Sequence, residues 1–143
     1  MGYSQDTICV QGGWQPKNGE PRVLPIYQST TFKYATSEEM GKLFDLEEEG
    51  YFYSRLQNPT NDVVAQKICD LEGGVAAMLT SSGQAATLFA VTNICYAGDH
   101  VICAAKVYGG TSNLLTVTLK RFGIEVTLVD QDAPAGELEK AFQ

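Results

Sequence analysis

At 143 residues, 44% apolar and 19% charged, the chain is the size of one domain with the balance of a folded protein, which excludes the disordered and collagen-like classes. Seventeen acidic against ten basic side chains leave a net charge of -7, and the three arginines are Arg22, Arg55 and Arg121, so nucleic acid is a poor match as a partner. Any anionic ligand has to be held by a local arrangement and not by a general positive field.

Residues 1–60 are broken up by Pro16, Pro21, Pro25 and Pro59 and carry recurrent aromatic residues, among them Trp14, Tyr27, Phe32, Tyr34, Tyr51, Phe52 and Tyr53. One helix stands out there. "TSEEMGKLF" offers a capping box from Thr36 to Glu39, with Met40, Leu43 and Phe44 on one face. The rest reads as an extended arm whose aromatic surface must lie against something.

From residue 61 to the end the pattern is regular. "TNDVVAQKICDLEGG" predicts a helix with Val64, Ile68 and Leu71 aligned, stopped at Gly73-Gly74. "VAAMLT", residues 75–80, predicts a short strand. A helix from about Gly83 to Cys95 follows, with Ala86, Phe89, Ala90 and Asn93 on one side. "HVICAA" is a second strand, "TSNLLTVTLKRFG" a helix with Leu115, Leu119 and Phe122 aligned, and "IEVTLV" a third strand. This βαβαβ order predicts an α/β fold with a parallel sheet, buried on both faces. Asp132 is the expected N-cap of a last helix with Pro134 just inside it, a helix start without a visible end. Together with the open edges of three parallel strands, this predicts an incomplete domain, the front of something longer, that self-associates.

Cys9, Cys69, Cys95 and Cys103 contain no CxxC pair and His100 is the single histidine, so zinc-ligand spacing is absent and no metal is expected. The cysteines read as small buried hydrophobes in a reducing compartment. No secretory h-region and no bilayer-length apolar run occur in the sequence, so a cytoplasmic protein without membrane partners is expected.

The chemistry-bearing candidates sit where strands hand over to helices. In "TSSGQAA", Ser82 can cap a helix, Gly83 lets a ligand approach, and the first turn points free N–H donors outward. The junction suits either a bound phosphate or a tight packing corner. It is not a Walker loop, because no Gly-Lys-Ser/Thr follows, and not a G-x-G-x-x-G fingerprint. At the next strand end, "KVYGGTSN" places Tyr108, a ring for a flat ligand or a cap on the core. In "YFYSRLQNPTND", Arg55 has the planar fork that suits phosphate, or forms an ordinary surface ion pair.

Taken together, "YSRLQNPTND", "LEGGVAAMLTSSGQAA", "VYGGT" and "RFGIEV" resemble the Cys/Met-metabolism family of pyridoxal-phosphate (PLP) enzymes, over nearly the whole chain from "VQGGWQP" and "PIYQSTTF" onward. Gln84 in "SSGQAA" and the run "NPTNDV" are most similar to the O-acetylhomoserine sulfhydrylases within it. The resemblance implies the start of a fold type I (aspartate aminotransferase-like) PLP domain. It implies backbone donors to the cofactor phosphate at Gly83 and Gln84, flanked by Ser82, and a Tyr108 ring that stacks on the cofactor and assists proton movement as a catalytic residue. Tyr53 and Arg55 would reach the phosphate of a neighbouring subunit's cofactor, so residues 1–60 would form an intersubunit arm and the partner would be a like chain in a dimer of dimers. The implied reaction is γ-replacement, in which sulfide or a thiol displaces acetate from O-acetylhomoserine to give homocysteine or methionine. Cystathionine γ-synthase or methionine γ-lyase chemistry is the alternative within the family. A non-catalytic phosphate-binding module and a structural remnant are the alternatives outside it. The family's imine-forming lysine and the aspartate facing the pyridine nitrogen have no counterpart in these 143 residues, and no family motif supports Lys106 in that role. The stretch by itself is therefore expected to be inactive.

Overall fold

The computed structural model describes residues 3–142, which divide into two compact units, one ending at Leu79 and the other starting at Thr80. In the first unit the arm is more helical than the sequence suggested. Helix α1 spans Gln5–Gln11, capped by Ser4, whose hydroxyl accepts from the Thr7 amide. It packs on α3, Pro59–Glu72, and Lys67 Nζ donates to the Cys9 carbonyl at 3.2 Å. Gly13 makes this approach possible: it sits at φ +81°, and a Cβ there would collide with the Val63 carbonyl. Helix α2, Ser37–Phe44, has the expected capping box, with Glu39 N donating to Thr36 Oγ1 and the Glu39 carboxylate accepting from the Thr36 amide. Leu43 is buried, whereas Phe44 is exposed and lies 4.4 Å from the Phe52 ring centroid.

Helix α3 ends at Gly73 in the left-handed region, as the Gly-Gly stop predicted. Its inward face is not the expected one. Ala65 and Cys69 are buried, while Val64 and Ile68 are exposed.

The second unit begins with α4, Gly83–Thr92, then β1, His100–Ala104, α5, Gly109–Asn113, a π-helical turn over Leu114–Thr118, α6, Leu119–Arg121, and β2, Glu125–Val129. Strands β1 and β2 are parallel, in register from His100 opposite Glu125 to Ala104 opposite Val129. This is the βαβ unit that the alternation of elements predicted. The expected first strand, residues 75–80, is not a strand: the sheet has two strands, and Val75, Met78 and Leu79 are exposed. A strand is held by ladder hydrogen bonds to a neighbour, and among the described residues none pairs with this stretch.

The core of this unit is Leu115, Leu119 and Ile124, packed by Leu88, Val91 and Cys95 on one side and by Val101, Cys103 and Val126 on the other. Burying each such side chain contributes about 1.5–3 kcal/mol. Two expectations fail here. Helix α4 packs through Leu88 and Val91, not through Ala86, Phe89 and Ala90, which are exposed. Phe122 is also exposed, and Ile124, one residue past the Gly123 stop at φ +79°, takes the core position. Phe122 is already the C-cap, where the helix has ended at Arg121, and the left-handed turn at Gly123 carries the chain back so that Ile124 enters the core.

The last helix, α7, covers Ala135–Leu138, with Pro134 and not Asp132 at its N-cap, and a 3-10 turn over Glu139–Ala141 ends it. Asp132 pairs instead with Lys106, at 2.8 Å. The cysteines are free thiols, but only Cys69 is buried, and Cys9 is exposed against expectation.

Candidate functional site

Helix α4 starts on a braced corner. Thr80 Oγ1 donates to the Ser82 carbonyl at 2.9 Å, the Ala85 amide donates to Ser82 Oγ at 3.1 Å, and the Ala86 amide donates to the Ser82 carbonyl at 3.0 Å. The first amides of a helix have no intrahelical acceptor. Ser82 satisfies the third and fourth, which leaves those of Gly83 and Gln84 as outward donors at the positive end of the helix dipole. A Cβ at Gly83 would meet no atom within 4 Å, so the helix start is open on that side. No acidic or basic residue occupies the first turn, so an anion would be held there by amides alone.

Helix α5 starts beside it. Gln84 Nε2 donates to Thr111 Oγ1 at 3.2 Å, joining the first turns of the two helices. Tyr108 is the N-cap of α5, without a side-chain cap bond, and its side chain is 75% exposed. The ring lies over Gly110, where a Cβ would come within 2.6 Å of Tyr108 Cε1. The sequence-predicted residues Ser82, Gly83, Gln84 and Tyr108 thus stand at adjoining helix starts: two free amides on one, an exposed phenol on the other. That donor set fits a phosphate with a flat ring attached. Lys106, two residues before Tyr108, is ion-paired with Asp132 at 2.8 Å and Asp130 at 3.6 Å.

Tyr53 and Arg55 form a second cluster in the first unit. The guanidinium carbon of Arg55 sits 5.0 Å from the Tyr53 ring centroid, a cation–π arrangement. Among the described residues Arg55 has no ion pair. The loop that carries both is held by backbone pairing to residues 30–32, with Ser54 N donating to the Thr30 carbonyl at 2.9 Å and Phe32 N to the Phe52 carbonyl at 3.3 Å.

Two residues that position these groups escaped the sequence reading. Asn58 is buried, 6% exposed; its Nδ2 donates to the Tyr27 carbonyl and to Ser54 Oγ, and its Oδ1 accepts from the Thr60 amide. The signal was present, since Asn before Pro is a helix start of the N-cap–N1 kind. Thr111 gave no such signal, because its role depends on a neighbour 27 positions away. Nearby, Tyr51 lines a cavity of about 520 Å³ with Trp14, Tyr27, Phe32 and Tyr34. Its phenol is pushed up to about 12, by burial first and then by a hydrogen bond to Asp62 and the charge of that carboxylate.

No described helix is long and apolar enough to cross a membrane. Residues 6–143 match the family described as Cys/Met metabolism PLP-dependent enzyme. The chain is 44% identical over 140 residues to homocysteine/cysteine synthase of Kluyveromyces lactis, covering 96% of this chain and 31% of that one. It is 41% identical over 133 residues to O-acetyl-L-homoserine sulfhydrylase of Leptospira meyeri, covering 92% and 30%. Among solved structures, an O-acetylhomoserine (thiol)-lyase of Campylobacter jejuni, which contains N'-pyridoxyl-lysine-5'-monophosphate, superposes with a TM-score of 0.89 at 36% identity, over 99% of this chain and 33% of that one. The chain spans about a third of the length of the relatives it matches. The fold is that of part of a fold type I domain, and the chain belongs to the Cys/Met metabolism family of PLP-dependent enzymes.

Proposed function

We propose that these residues form the phosphate- and ring-holding part of a PLP-dependent γ-replacement enzyme of the O-acetyl-L-homoserine sulfhydrylase kind, which exchanges the acetate of O-acetylhomoserine for sulfide or a thiol. The observation that carries the proposal is the pair of uncommitted amides at Gly83 and Gln84 beside the exposed ring of Tyr108, in a chain of this family. When bound, PLP supplies an electron sink for loss of the substrate α-proton. The chain's own contribution is electrostatic and geometric: two amides and a helix dipole on the phosphate, a ring face on the pyridine, and a phenol hydroxyl within reach of proton movement.

The free, Tyr53-stacked guanidinium of Arg55 supports a bidentate role on the cofactor phosphate of a neighbouring copy, in a dimer of dimers. On this reading the protein works in the cytoplasm. The 143 residues alone are without turnover, because none of their lysines takes the imine role and Lys106 is engaged by Asp130 and Asp132.

The test adds PLP to residues 1–143 and to the full-length protein that carries them, follows the imine absorption band, traps it with borohydride and assays O-acetylhomoserine with sulfide. Turnover in the full-length protein with none in the short chain is the expected result. A trapped adduct on Lys106 with sulfhydrylase turnover by the short chain would overturn the division of labour. A full-length protein that only cleaves methionine or makes cystathionine would overturn the substrate assignment.

A further inference from the structure

The starts of α4 and α5 are joined by one side-chain hydrogen bond, from Gln84 Nε2 to Thr111 Oγ1 at 3.2 Å. Gln84 is the second residue of α4 and half-buried, so its carboxamide is already committed while its backbone amide is free to face a ligand. Thr111 is one turn along from Tyr108, so whatever fixes Thr111 also fixes the turn that presents the phenol. Tyr108 has little hold of its own. Among the described residues its hydroxyl has no hydrogen-bond partner, and its ring is steadied by contact with Gly110.

The far end of α5 is held by burial: Leu114, its C-cap, and Leu115 are both buried at the start of the π turn Leu114–Thr118, where Leu119 N bonds the Leu114 carbonyl. No buried residue holds the other end, Gly109–Asn113, so the bond from Gln84 to Thr111 is what ties its first turn down. The placement of that first turn is what aims Tyr108.

We propose that Gln84 is a positioning residue: its carboxamide, bonded to Thr111, holds the first turn of α5 and thereby the placement of the Tyr108 ring relative to the amides of Gly83 and Gln84. The proposal rests on the reading that those amides and that ring hold PLP. It adds a function for the Gln84 side chain distinct from that of its backbone.

The test uses the full-length holoprotein. Gln84→Met removes the donor at nearly constant length, Thr111→Val removes the hydroxyl at nearly constant shape, and Thr111→Ser keeps it. Two quantities are measured: the Kd for pyridoxal 5'-phosphate by equilibrium dialysis, and the visible circular dichroism of the bound cofactor, which reports the asymmetry of the ring's surroundings. Gln84→Met and Thr111→Val are each expected to weaken binding about 5-fold, the worth of one neutral hydrogen bond, and to change the dichroism. The double variant is expected to be no worse than either single one, and Thr111→Ser to restore both readouts. Unchanged dichroism and affinity in both single variants, or losses that add in the double variant, would overturn the proposal. If Gln84→Met does not fold, the Val/Ser pair at Thr111 decides. A parent protein that binds no pyridoxal 5'-phosphate overturns the cofactor reading and this proposal together, whereas a binding parent with indifferent variants overturns this proposal alone.

Discussion

Asn58 gives the sharpest test of how the loop carrying Tyr53 and Arg55 is held. Its side chain makes three hydrogen bonds: Nδ2 to the Tyr27 carbonyl at 3.1 Å and to Ser54 Oγ at 2.9 Å, and Oδ1 from the Thr60 amide at 2.9 Å. Asn58→Ala removes a helix cap, worth about 1 kcal/mol, and the two donor bonds, worth about 1 kcal/mol each at most, for a total loss of about 2–3 kcal/mol. The site is only 6% exposed, so water cannot readily replace the lost partners. Asn58→Asp separates the contributions. It keeps the acceptor for the Thr60 amide and places a negative charge at the start of α3, but turns a carboxylate toward the Tyr27 carbonyl, for a net cost of about 1–2 kcal/mol. Urea denaturation followed by the fluorescence of Trp14, the one tryptophan of this chain and a member of the same compact unit, reads both values. A cost for Asn58→Ala below about 0.5 kcal/mol would show that the buried amide is not the brace proposed here, as would an Asp variant as damaging as Ala.

In the other unit, Leu119→Ala empties a position with 0% exposure and is expected to cost about 2–5 kcal/mol by chemical denaturation, while Phe122→Ala at 53% exposure costs less than about 1 kcal/mol. Equal costs would contradict the core assignment. Because the folded state holds the Tyr51 proton more tightly than the unfolded chain does, its contribution is complete below pH 10 and is lost as pH rises toward 12. Asp62→Asn should move the Tyr51 midpoint part of the way back down in an ultraviolet tyrosinate titration; an unchanged midpoint would leave burial as the only cause. Gly110→Ala puts a Cβ where it would stand 2.6 Å from Tyr108 Cε1, so the ring has to swing away. Altered Tyr108 ring resonances in an NMR spectrum are the expected sign, and an unmoved ring would refute the contact.

The local code was strong wherever one short segment carried its own instruction. The Thr36–Glu39 box and the Gly73 and Gly123 stops follow from neighbours within a few residues, and the structure has them. Ser82 as the cap of α4 belongs with them, and so do the bare amides behind it, because a helix start exposes donors whatever surrounds it. Family motifs in the right order also settled the family.

Which face of a helix turns inward was decided only in three dimensions. Helix α4 is apolar almost all round, so periodicity offered several faces and packing against Leu115, Leu119 and Ile124 selected Leu88 and Val91. In α3, Ala65 and Cys69 are buried while Val64 and Ile68 are exposed, a choice of face that the apolar spacing did not give. Residues 75–80 have a strand's composition, but a strand exists only through its neighbour's hydrogen bonds, and composition cannot provide those. The bond between Gln84 and Thr111 is of the same kind: two ordinary polar residues far apart in the chain acquire a joint role because the fold sets two helix starts side by side.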